Sequence, residues 1–392
     1  MDLTLLAGLY LGILLFKCGS ACWVAARAPR RAATDFAGAA TGVATEFSTE
    51  VAILQPILSG DPMLAEQLAS NVRDCPGVTF VWLIDQADRA AETITTDIQA
   101  RFPSARILIQ RYPAAPEGVN PKSYKLEQAW RDAPGVVCVV LDDDTRLLPD
   151  TLVALVEAAD DHTLATALPH YHASAEPASR WLAEFVNNNA AFTYLSLLPY
   201  TQPISINGMC YAIRRAHLER CGGFRPILSH LADDLALANL VTSRGGRIRQ
   251  LPDAVAVRTS LSGYGDYIRQ MHRWFLFASL LLKPQSLAWR LLILVLHGLP
   301  PLLLWMLLVG GAMAAWQGLA SALSVLAVLG VRAAAIAGCQ RLTTGAIRHR
   351  PGLSLLSELM QPFHLMHALL VRSITWRTRR YRVYSNEHFV SE

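Results

Sequence analysis

Three long apolar runs, one at the start of the chain and two near its end, constrain its folding more than any other feature. They cover residues 3–24, 291–309 and 319–336, and the first is long enough to cross about 30 Å of hydrocarbon as a helix. An uncharged segment, 310–318, separates the last two and predicts a helical hairpin that crosses and returns. The 52% apolar content exceeds that of a typical soluble protein, and the excess lies at these two ends, because the middle has a globular composition. The pattern is typical of a membrane-attached protein.

The charges that flank these runs predict their orientation. Three arginines between 27 and 31 follow the first run, and residues 341–350 after the third run are also basic. The positive-inside rule places both segments in the cytoplasm. We therefore expect a multi-pass protein of the inner membrane whose middle domain faces the cytoplasm. A cleaved signal peptide is the alternative for the first run, but the start, Met1-Asp2-Leu3, lacks the positive charge of such signals. Arg332, within the third run, is expected to snorkel to the interface.

Cysteine usage and net charge exclude several classes of protein. The seven cysteines are scattered and form no Cys-x-x-Cys pair, which argues against disulfides and against a thiolate zinc site. The formal net charge is only +4. The basic residues gather near the membrane ends of the chain and do not predict a basic face with interleaved aromatic residues. We therefore expect no nucleic-acid partner.

Strand and helix patterns alternate through the middle of the chain. The predicted strands cover 51–58, 80–84, 106–110, 136–141 and 163–168, and the predicted helices cover 62–74, 91–102, 122–132 and 149–159. This alternation predicts a mostly parallel α/β sheet, in which ligands bind at the carboxyl ends of strands. The segment from there to Pro203 is expected to be irregular. Further on, the sequence predicts a strand, Gly turn and strand over 204–213 and helices over 233–242 and 264–282.

A cluster of acids follows the apolar strand that ends at Leu141. In Asp142-Asp143-Asp144, alternate side chains can face one side, so Asp142 and Asp144 are candidate ligands of Mg²⁺ or Mn²⁺, while Asp143 faces away. A solvated turn with helix-capping carboxylates is the alternative. The apolar strand before the cluster favours metal binding.

Other acids stand where strands or helices meet loops. Asp85 ends a different strand and is a candidate contact for a base or ribose, whereas Asp88 is either its partner or the cap of the next helix. At the start of the 233–242 helix, Asp233 suits an N-cap. Asp234 is then placed to face a cleft as a general base.

The segment Gln270-Met271-His272-Arg273-Trp274 places Gln270 and Arg273 on one helix face. Arg273 can hold a diphosphate through two hydrogen bonds, and Trp274 can lie under a sugar. An amphipathic helix at the membrane interface is the alternative interpretation.

These motifs, in this order and spacing, resemble the processive-type family 2 glycosyltransferases of the GT-A fold. They are more similar to ceramide glucosyltransferases, family 21, and to bacterial relatives that glycosylate ceramide or hopanoids. The resemblance covers residues 51–382. It extends to further motifs, which are Asp85-Gln-Ala-Asp88, Gly118-Val-Asn120-Pro-Lys122, Gly208-Met209 and the C-terminal Trp376-Arg377-Thr-Arg-Arg-Tyr381.

The resemblance implies a role for each residue. Asp85 would contact uridine, Asp142 and Asp144 would hold the metal and the ribose-diphosphate, and Asp234 would deprotonate the acceptor. Arg273 and Trp274, with Gln270, would close over the donor, and Lys122 would neutralise phosphate charge. Asn120, Gly208, Met209, Asp233, Trp376 and Arg377 belong to matching motifs.

The implied activity is inverting, metal-dependent transfer of a hexose, glucose in the first instance, from a UDP-sugar to the hydroxyl of a membrane lipid, most simply ceramide. The alternatives are N-acetylglucosamine or glucuronate as the sugar, a hopanoid or diacylglycerol as the acceptor, and a catalytically inactive membrane scaffold. The sequence departs from the family at Gln55-Pro-Ile-Leu-Ser-Gly60, at Arg89 and at Asp233. The altered loops would flank the donor pocket, so these departures affect which sugar and which lipid the resemblance implies.

The predicted organisation is an α/β GT-A, Rossmann-like catalytic domain between an N-terminal transmembrane anchor and a C-terminal transmembrane hairpin. Its predicted parts are an anchor over 1–26, a linker over 27–48, the GT-A domain over 49–262, an interfacial helix with the Gln-x-x-Arg-Trp motif over 263–286, the hairpin over 287–340 and a basic tail with an interfacial helix over 341–392.

Overall fold

The computed structural model describes residues 2–28, 50–258, 260–315, 319–376 and 379–391. Most of the predicted linker, from residue 29 to 48, and Arg377 therefore lie outside the described residues. The chain forms two compact units. The helical unit comprises Met1–Arg27, Ala175–Thr201 and Leu261–Arg380, and the sheet unit comprises Ala28–Ser174, Gln202–Ser260 and Tyr381–Glu392.

The sheet unit contains an eight-stranded sheet. Its strands are β1 (Val51–Pro56), β2 (Thr79–Asp85), β3 (Arg106–Tyr112), β4 (Val137–Leu141), β5 (Thr145–Arg146), β6 (Thr163–Tyr171), β7 (Cys210–Arg214) and β8 (Arg247–Val257). They lie in the order β3-β2-β1-β4-β7-β6-β8-β5. Strands β1 to β4 pair in parallel, as do β6 and β8, whereas β7 is antiparallel to both of its neighbours. The sheet is thus mixed but mostly parallel, as the strand and helix alternation predicted.

Helices cover both faces of this sheet. In the sheet unit they are α2 (Leu64–Asp74), α3 (Arg89–Arg101), α4 (Pro121–Ala129), α5 (Pro149–Ala158), α7 (Arg215–Cys221) and α8 (Asp233–Ser243). Because successive strand residues point to opposite faces, Ile53 packs into one buried apolar cluster and Leu54 into the other. Burying each such side chain contributes about 1.5–3 kcal/mol. The two apolar clusters stabilise the two faces of the sheet. Polar residues lie at its edge, where the parallel strands end.

The helical unit contains the remaining helices. They are α1 (Leu3–Arg27), α6 (Pro177–Tyr194), α9 (Tyr264–Leu282), α10 (Leu287–Ile293), α11 (Leu299–Ala315), α12 (Leu319–Thr344) and α13 (Pro351–Leu370), with a π-helical turn joining α10 to α11. Among the described residues, three helical segments are long and apolar enough to cross a membrane, namely Leu3–Arg27, Leu287–Ala314 and Ala320–Thr344. These match the three predicted spans.

The tail contains three short strands, β9 (Ser373–Trp376), β10 (Arg379–Val383) and β11 (Phe389–Ser391). Strands β10 and β11 pair as an antiparallel hairpin. The turn of this hairpin belongs to the sheet unit, where it contributes to the site described below.

The sequence analysis was wrong about regular structure in three places. One is residues 204–213, where the structure has a strand only after the Gly turn, as β7, and not before it. The segment expected to be irregular contains α6, whose Asn188 is buried and bonds to Gln340. Its three consecutive asparagines disfavour a helix locally, so tertiary packing decides its conformation. Strand β8 was also missed, because it alternates charged residues and contains Pro252. That proline lies where the pairing of β6 with β8 shifts register, and a bulge is where a strand tolerates proline.

The expectation for Arg332 was also wrong. The guanidinium does not snorkel, since Arg332 is only 3% exposed and pairs with Glu358 at 2.8 Å. A buried ion pair removes the need to reach water.

Candidate active site

The acids predicted from the strand ends lie on the carboxyl edge of the sheet. Strands β2 and β4 flank β1 and run parallel to it, so Asp85 and Asp142 emerge on the same edge. Strand β7 is antiparallel to β4, which brings Met209 to this edge as well. The Asp142 N–H donates to the carbonyl of Met209 at 2.9 Å, and the Gln55 side chain donates to the carbonyl of Asp142 at 3.2 Å. The backbone that carries the acids is therefore held from both sides.

The three consecutive acids differ in their surroundings, as their alternation predicted. Asp143 is only 7% exposed and accepts a hydrogen bond from the Leu58 N–H at 2.9 Å. The Asp142 side chain is 29% exposed, and Asp144 is half-buried. Asp143 thus anchors the loop after β1, whereas the other two carboxylates remain accessible.

Lys122 connects two of the predicted acidic motifs. It lies in the first turn of α4, which Asn120 caps by accepting from the Lys122 N–H at 2.9 Å. Its ammonium lies 2.7 Å from Asp142 Oδ1 and 3.3 Å from Asp233 Oδ2, and donates to the Gly208 carbonyl at 2.7 Å. Burial lowers the pKa of Lys122, but Asp142 and Asp233 outweigh it and raise that pKa well above its ordinary value. Lys122 is therefore a fixed positive charge at the centre of the cluster.

Asp234 lies next to Asp233 in this cluster, in close contact with Gly208. Its Oδ1 accepts from the Leu235 N–H at 2.7 Å, and its Cβ would be 2.8 Å from a Cβ added at Gly208. Only glycine allows this close approach. Burial, reinforced by the neighbouring Asp233 carboxylate, raises the pKa of Asp234 to about 7. A carboxyl group with such a pKa is suited to exchange a proton near neutral pH.

Asp233 does not cap its helix as its position suggested. The N-cap of α8 is Ala232, with no side-chain capping bond in this described segment, and Asp233 instead pairs with Lys122. An ammonium 3.3 Å away offers this carboxylate a stronger partner than a backbone N–H.

Two asparagines hold the segment that precedes Asp233. The Asn120 side chain donates to the carbonyls of His230 and Leu231 at 3.1 and 3.2 Å. In the turn between β10 and β11, Asn386 Oδ1 accepts from the Ala232 N–H at 2.7 Å, and Asn386 Nδ2 donates to the Ala232 carbonyl at 3.2 Å. The Leu231 N–H also donates to the Asn386 carbonyl at 2.9 Å. Sequence reasoning missed Asn386, because this residue bonds to Ala232, which is far away along the chain, and no local motif predicts such a contact.

Asp85 and Asp88 have separate surroundings. Asp85 Oδ2 lies 3.3 Å from the ammonium of Lys125, a buried residue that also donates to the Ile57 carbonyl. Sequence reasoning missed Lys125, although its position three residues after Lys122 could have indicated a shared helix face. Asp88 caps α3 by accepting from the Ala91 N–H and also accepts from Ser59, so its capping interpretation is correct.

The Gln-x-x-Arg-Trp segment lies on α9 of the helical unit. As the spacing predicted, Gln270 and Arg273 share a face, and an Arg273 guanidinium N–H donates to the Gln270 side-chain oxygen Oε1 at 2.8 Å. The Trp274 ring stacks against Phe185 at a centroid distance of 6.3 Å. Trp376 belongs to β9 in the same unit. The roles of these residues toward a donor remain predictions.

The donor set of the sheet unit suits a divalent cation. No group of three or more His, Cys, Asp or Glu side chains arranged for a metal occurs among the described residues. However, Mg²⁺ and Mn²⁺ need only one or two protein carboxylates when phosphate oxygens and water complete their shell. Asp142 and Asp144 provide such carboxylates at an accessible edge, so the residues fit the predicted metal.

Comparison with known proteins assigns the chain to a family. The model of glycosyl transferase family 21 matches residues 17–389. Ceramide glucosyltransferase 1 of Caenorhabditis elegans is 25% identical over 209 residues, which are 50% of this chain and 42% of that protein. The match therefore spans less than half of that relative's length.

A solved structure supports the fold. The mannosyltransferase PcManGT from Pyrobaculum calidifontis, solved in complex with GDP-Man and Mn²⁺, superposes with a TM-score of 0.51 at 19% identity. The superposition covers 93% of this chain and 98% of that one. The sheet topology and this likeness establish a Rossmann-like GT-A fold, and the family match over nearly the whole chain shows that the protein belongs to glycosyl transferase family 21.

Proposed function

We propose that the protein is an inverting, metal-dependent glycosyltransferase that moves a hexose, glucose in the first instance, from a UDP-sugar to the hydroxyl of a membrane lipid, most simply ceramide. The observation that carries this proposal is Asp234, a carboxyl group with a pKa of about 7 next to the Lys122, Asp142 and Asp233 cluster. Family membership, the name of the Caenorhabditis elegans relative and the three apolar helices support the choice of sugar and lipid.

In this proposal Asp234 acts as the general base. Its carboxylate takes the proton from the acceptor hydroxyl while that oxygen forms a bond to the anomeric carbon, and the bond from this carbon to the UDP oxygen breaks. Attack from the face opposite to the leaving group inverts the anomeric carbon. The proton ends on Asp234 and the electron pair leaves with UDP.

The remaining residues hold the donor. Asp142 and Asp144 would bind Mn²⁺ or Mg²⁺, which neutralises charge on the diphosphate. Lys122, whose positive charge is fixed by its carboxylate neighbours, holds the acidic cluster in place next to that diphosphate. Asp85 contacts the uridine. Arg273 and Trp274, with Gln270, bind the diphosphate and the sugar.

The proposed location is the inner membrane. The three apolar helices anchor the chain, and the basic segments that follow α1 and α12 orient the GT-A domain toward the cytoplasm. There it meets soluble UDP-sugar and a lipid acceptor at the same surface.

The test is lipid glycosylation by the full chain purified in detergent. Ceramide, diacylglycerol and a hopanoid are offered with UDP-glucose, UDP-N-acetylglucosamine or UDP-glucuronate and Mn²⁺, and products are identified by mass spectrometry of the lipid extract. We expect a β-linked glucosyl ceramide from UDP-α-glucose. Formation of a different glycolipid would show that the proposed sugar or the proposed acceptor is wrong, and its mass would identify the correct one. UDP-sugar binding without any lipid product would contradict the acceptor class, and absence of binding would favour the inactive scaffold.

We expect Gly208→Ala to lower kcat by about 100-fold, because a new Cβ 2.8 Å from the Asp234 Cβ must displace the base, and a displacement of about 1 Å can cost that much. The measurement is steady-state transfer to the lipid identified above. Gly352→Ala is the matched control, since a Cβ there meets nothing within 4 Å. An active Gly208→Ala variant with wild-type kcat would show that the position of Asp234 is not critical.

We expect Asn386→Ala to lower kcat by about tenfold and to leave the KM for the UDP-sugar unchanged. The substitution removes two hydrogen bonds to the backbone of Ala232, and bonds of this kind contribute about 1 kcal/mol each. Asn386→Asp keeps the acceptor for the Ala232 N–H and should recover part of the activity. Asn239→Ala, on the exposed side of α8, is the control. An equal rise in KM with unchanged kcat would contradict a positioning role.

A further inference from the structure

A small polar cavity lies among the helices of the helical unit. It is bounded by residues of α1, α6, α11, α12 and α13 and by the π-helical turn before α11, and its volume is about 30 Å³. Lys17, His297, Arg332 and Glu358 line it together with the hydroxyl groups of Tyr10 and Ser357. Three of the contributing helical segments are those long and apolar enough to cross a membrane. Ionisable residues inside such helices are costly and mark functional sites more often than not.

Lys17 is the group that requires an explanation. It is only 6% exposed, and its ammonium lies 5.2 Å from the centroid of the Phe192 ring. Among the described residues, none forms a hydrogen bond or a close ion pair with this ammonium. An ammonium that is buried in this way needs a compensating negative charge or polar group.

Glu358 attracts the Lys17 ammonium electrostatically but forms no hydrogen bond with it, because other groups already occupy its two oxygens. Arg332 Nε donates to Glu358 Oε2 at 2.9 Å, and the Tyr10 hydroxyl lies within 3.2 Å of both oxygens. Arg332 also donates to the Ser354 carbonyl at 3.0 Å. The Arg332 and Glu358 charges pair directly with each other, so Lys17 has no carboxylate of its own at the cavity.

The hydroxyl groups near the cavity are also incompletely used. Ser354 Oγ and Ser357 Oγ are buried and have no hydrogen-bond partner among the described residues. An ammonium together with hydroxyl donors is a set that recognises a compact oxyanion. A cavity of this size has room for one small polar group rather than for a whole sugar or nucleotide.

We propose that this cavity binds the phosphate group of an anionic membrane phospholipid, with Lys17 as the charge that selects it. The net charge of the Lys17, Arg332 and Glu358 set is +1, which a phosphodiester with no cation in its headgroup neutralises. The apolar surface of the surrounding helices receives the acyl chains. The site lies in the helical unit and does not depend on the proposed sugar transfer.

The test uses the full chain in dodecyl maltoside, a neutral detergent. Phosphatidylglycerol, phosphatidylcholine or inorganic phosphate is added, and binding is followed by native mass spectrometry and by the melting temperature. We expect phosphatidylglycerol to bind in a 1:1 ratio and to raise the melting temperature, with a weaker response to phosphatidylcholine, whose headgroup adds a cation. Stabilisation by inorganic phosphate with no further gain from phosphatidylglycerol would overturn the assignment to a lipid.

Lys17→Met provides the decisive variant. Because it removes the unpaired charge, we expect a melting temperature without lipid at or above that of the wild type and at least tenfold weaker retention of phosphatidylglycerol. Lys283→Gln removes an exposed lysine at the end of α9 and should respond like the wild type. If Lys17→Met does not fold, Ser357→Val fills the cavity while keeping the lysine, and it should also lose the lipid response. Undiminished phosphatidylglycerol binding by Lys17→Met or by Ser357→Val would overturn the proposal.

Discussion

Replacing Asp234 by Asn should reduce sugar transfer by about 100- to 10,000-fold in kcat, the usual contribution of a general base. The amide is nearly the same size as the carboxyl group, so the packing against Gly208 is kept while the proton acceptor is lost. Binding of the UDP-sugar should change little. The measurement is kcat for lipid glycosylation together with donor affinity by calorimetry.

The pH dependence of the wild type provides an independent check on this role. Because burial raises the pKa of Asp234 to about 7, kcat/KM should fall as the pH drops below about 7, where the base becomes protonated. Asp97→Asn, on the exposed side of α3, should keep both the activity and this pH profile. An Asp234→Asn variant with more than a tenth of wild-type kcat would rule out the base assignment.

The same raised pKa has an effect on stability. A carboxyl group whose folded-state pKa exceeds its unfolded value contributes stability that is present at low pH and lost as the pH rises through the folded-state pKa. The wild type should therefore lose stability relative to Asp234→Asn between about pH 4 and pH 7. Melting temperatures at pH 5 and pH 8 measure this difference, and the advantage of the variant should be larger at pH 8. An opposite trend would contradict the raised pKa.

Replacing Asp144 by Asn should weaken Mn²⁺-dependent binding of the UDP-sugar at least tenfold and lower kcat/KM by about 100-fold, because a neutral amide is a poor ligand for a hard cation. Asp144 is a cleaner test than Asp142, which also neutralises Lys122. Calorimetry of UDP-sugar binding with and without Mn²⁺ measures the effect.

Asp143→Asn provides the contrast for the metal prediction. Asp143 is buried and bonds to the Leu58 N–H, so we expect this variant to lose stability, by about 1–3 kcal/mol, and to keep the metal dependence of donor binding. If Asp143→Asn abolished the metal dependence while Asp144→Asn preserved it, the assignment of ligands would have to be reversed.

Local patterns in the sequence were sufficient for much of the fold. The three apolar runs predicted the long apolar helices, and the amphipathic period of residues 264–282 predicted α9 with the bounds that the structure has. Asp85 and the Asp142 cluster were found because parallel strands place their carboxyl ends on one edge. Each of these inferences depends on residues close together in sequence.

Other features depend on contacts between distant segments. Helix α6 contains a run of asparagines and becomes a helix because Asn188 and Glu184 have hydrogen-bond partners on α12 and in the loop before α13. Arg332 is held inside its unit because Glu358, on α13, lies within 3 Å of it. No local pattern in the sequence predicts which of these residues will contact each other.

By itself the sequence determined the number and place of the apolar helices, the order of most strands and helices, and which residue types could carry the chemistry. Only the tertiary structure decided that Lys122 joins Asp142 to Asp233, that Asn386 holds the segment before Asp234, and that Lys17 lies at a cavity without a hydrogen-bond partner among the described residues. The physical reason is that hydropathy and propensity act over a few neighbouring residues. The pKa of a carboxyl group and the pairing of a buried charge, in contrast, depend on whichever distant segments the fold brings within a few ångströms.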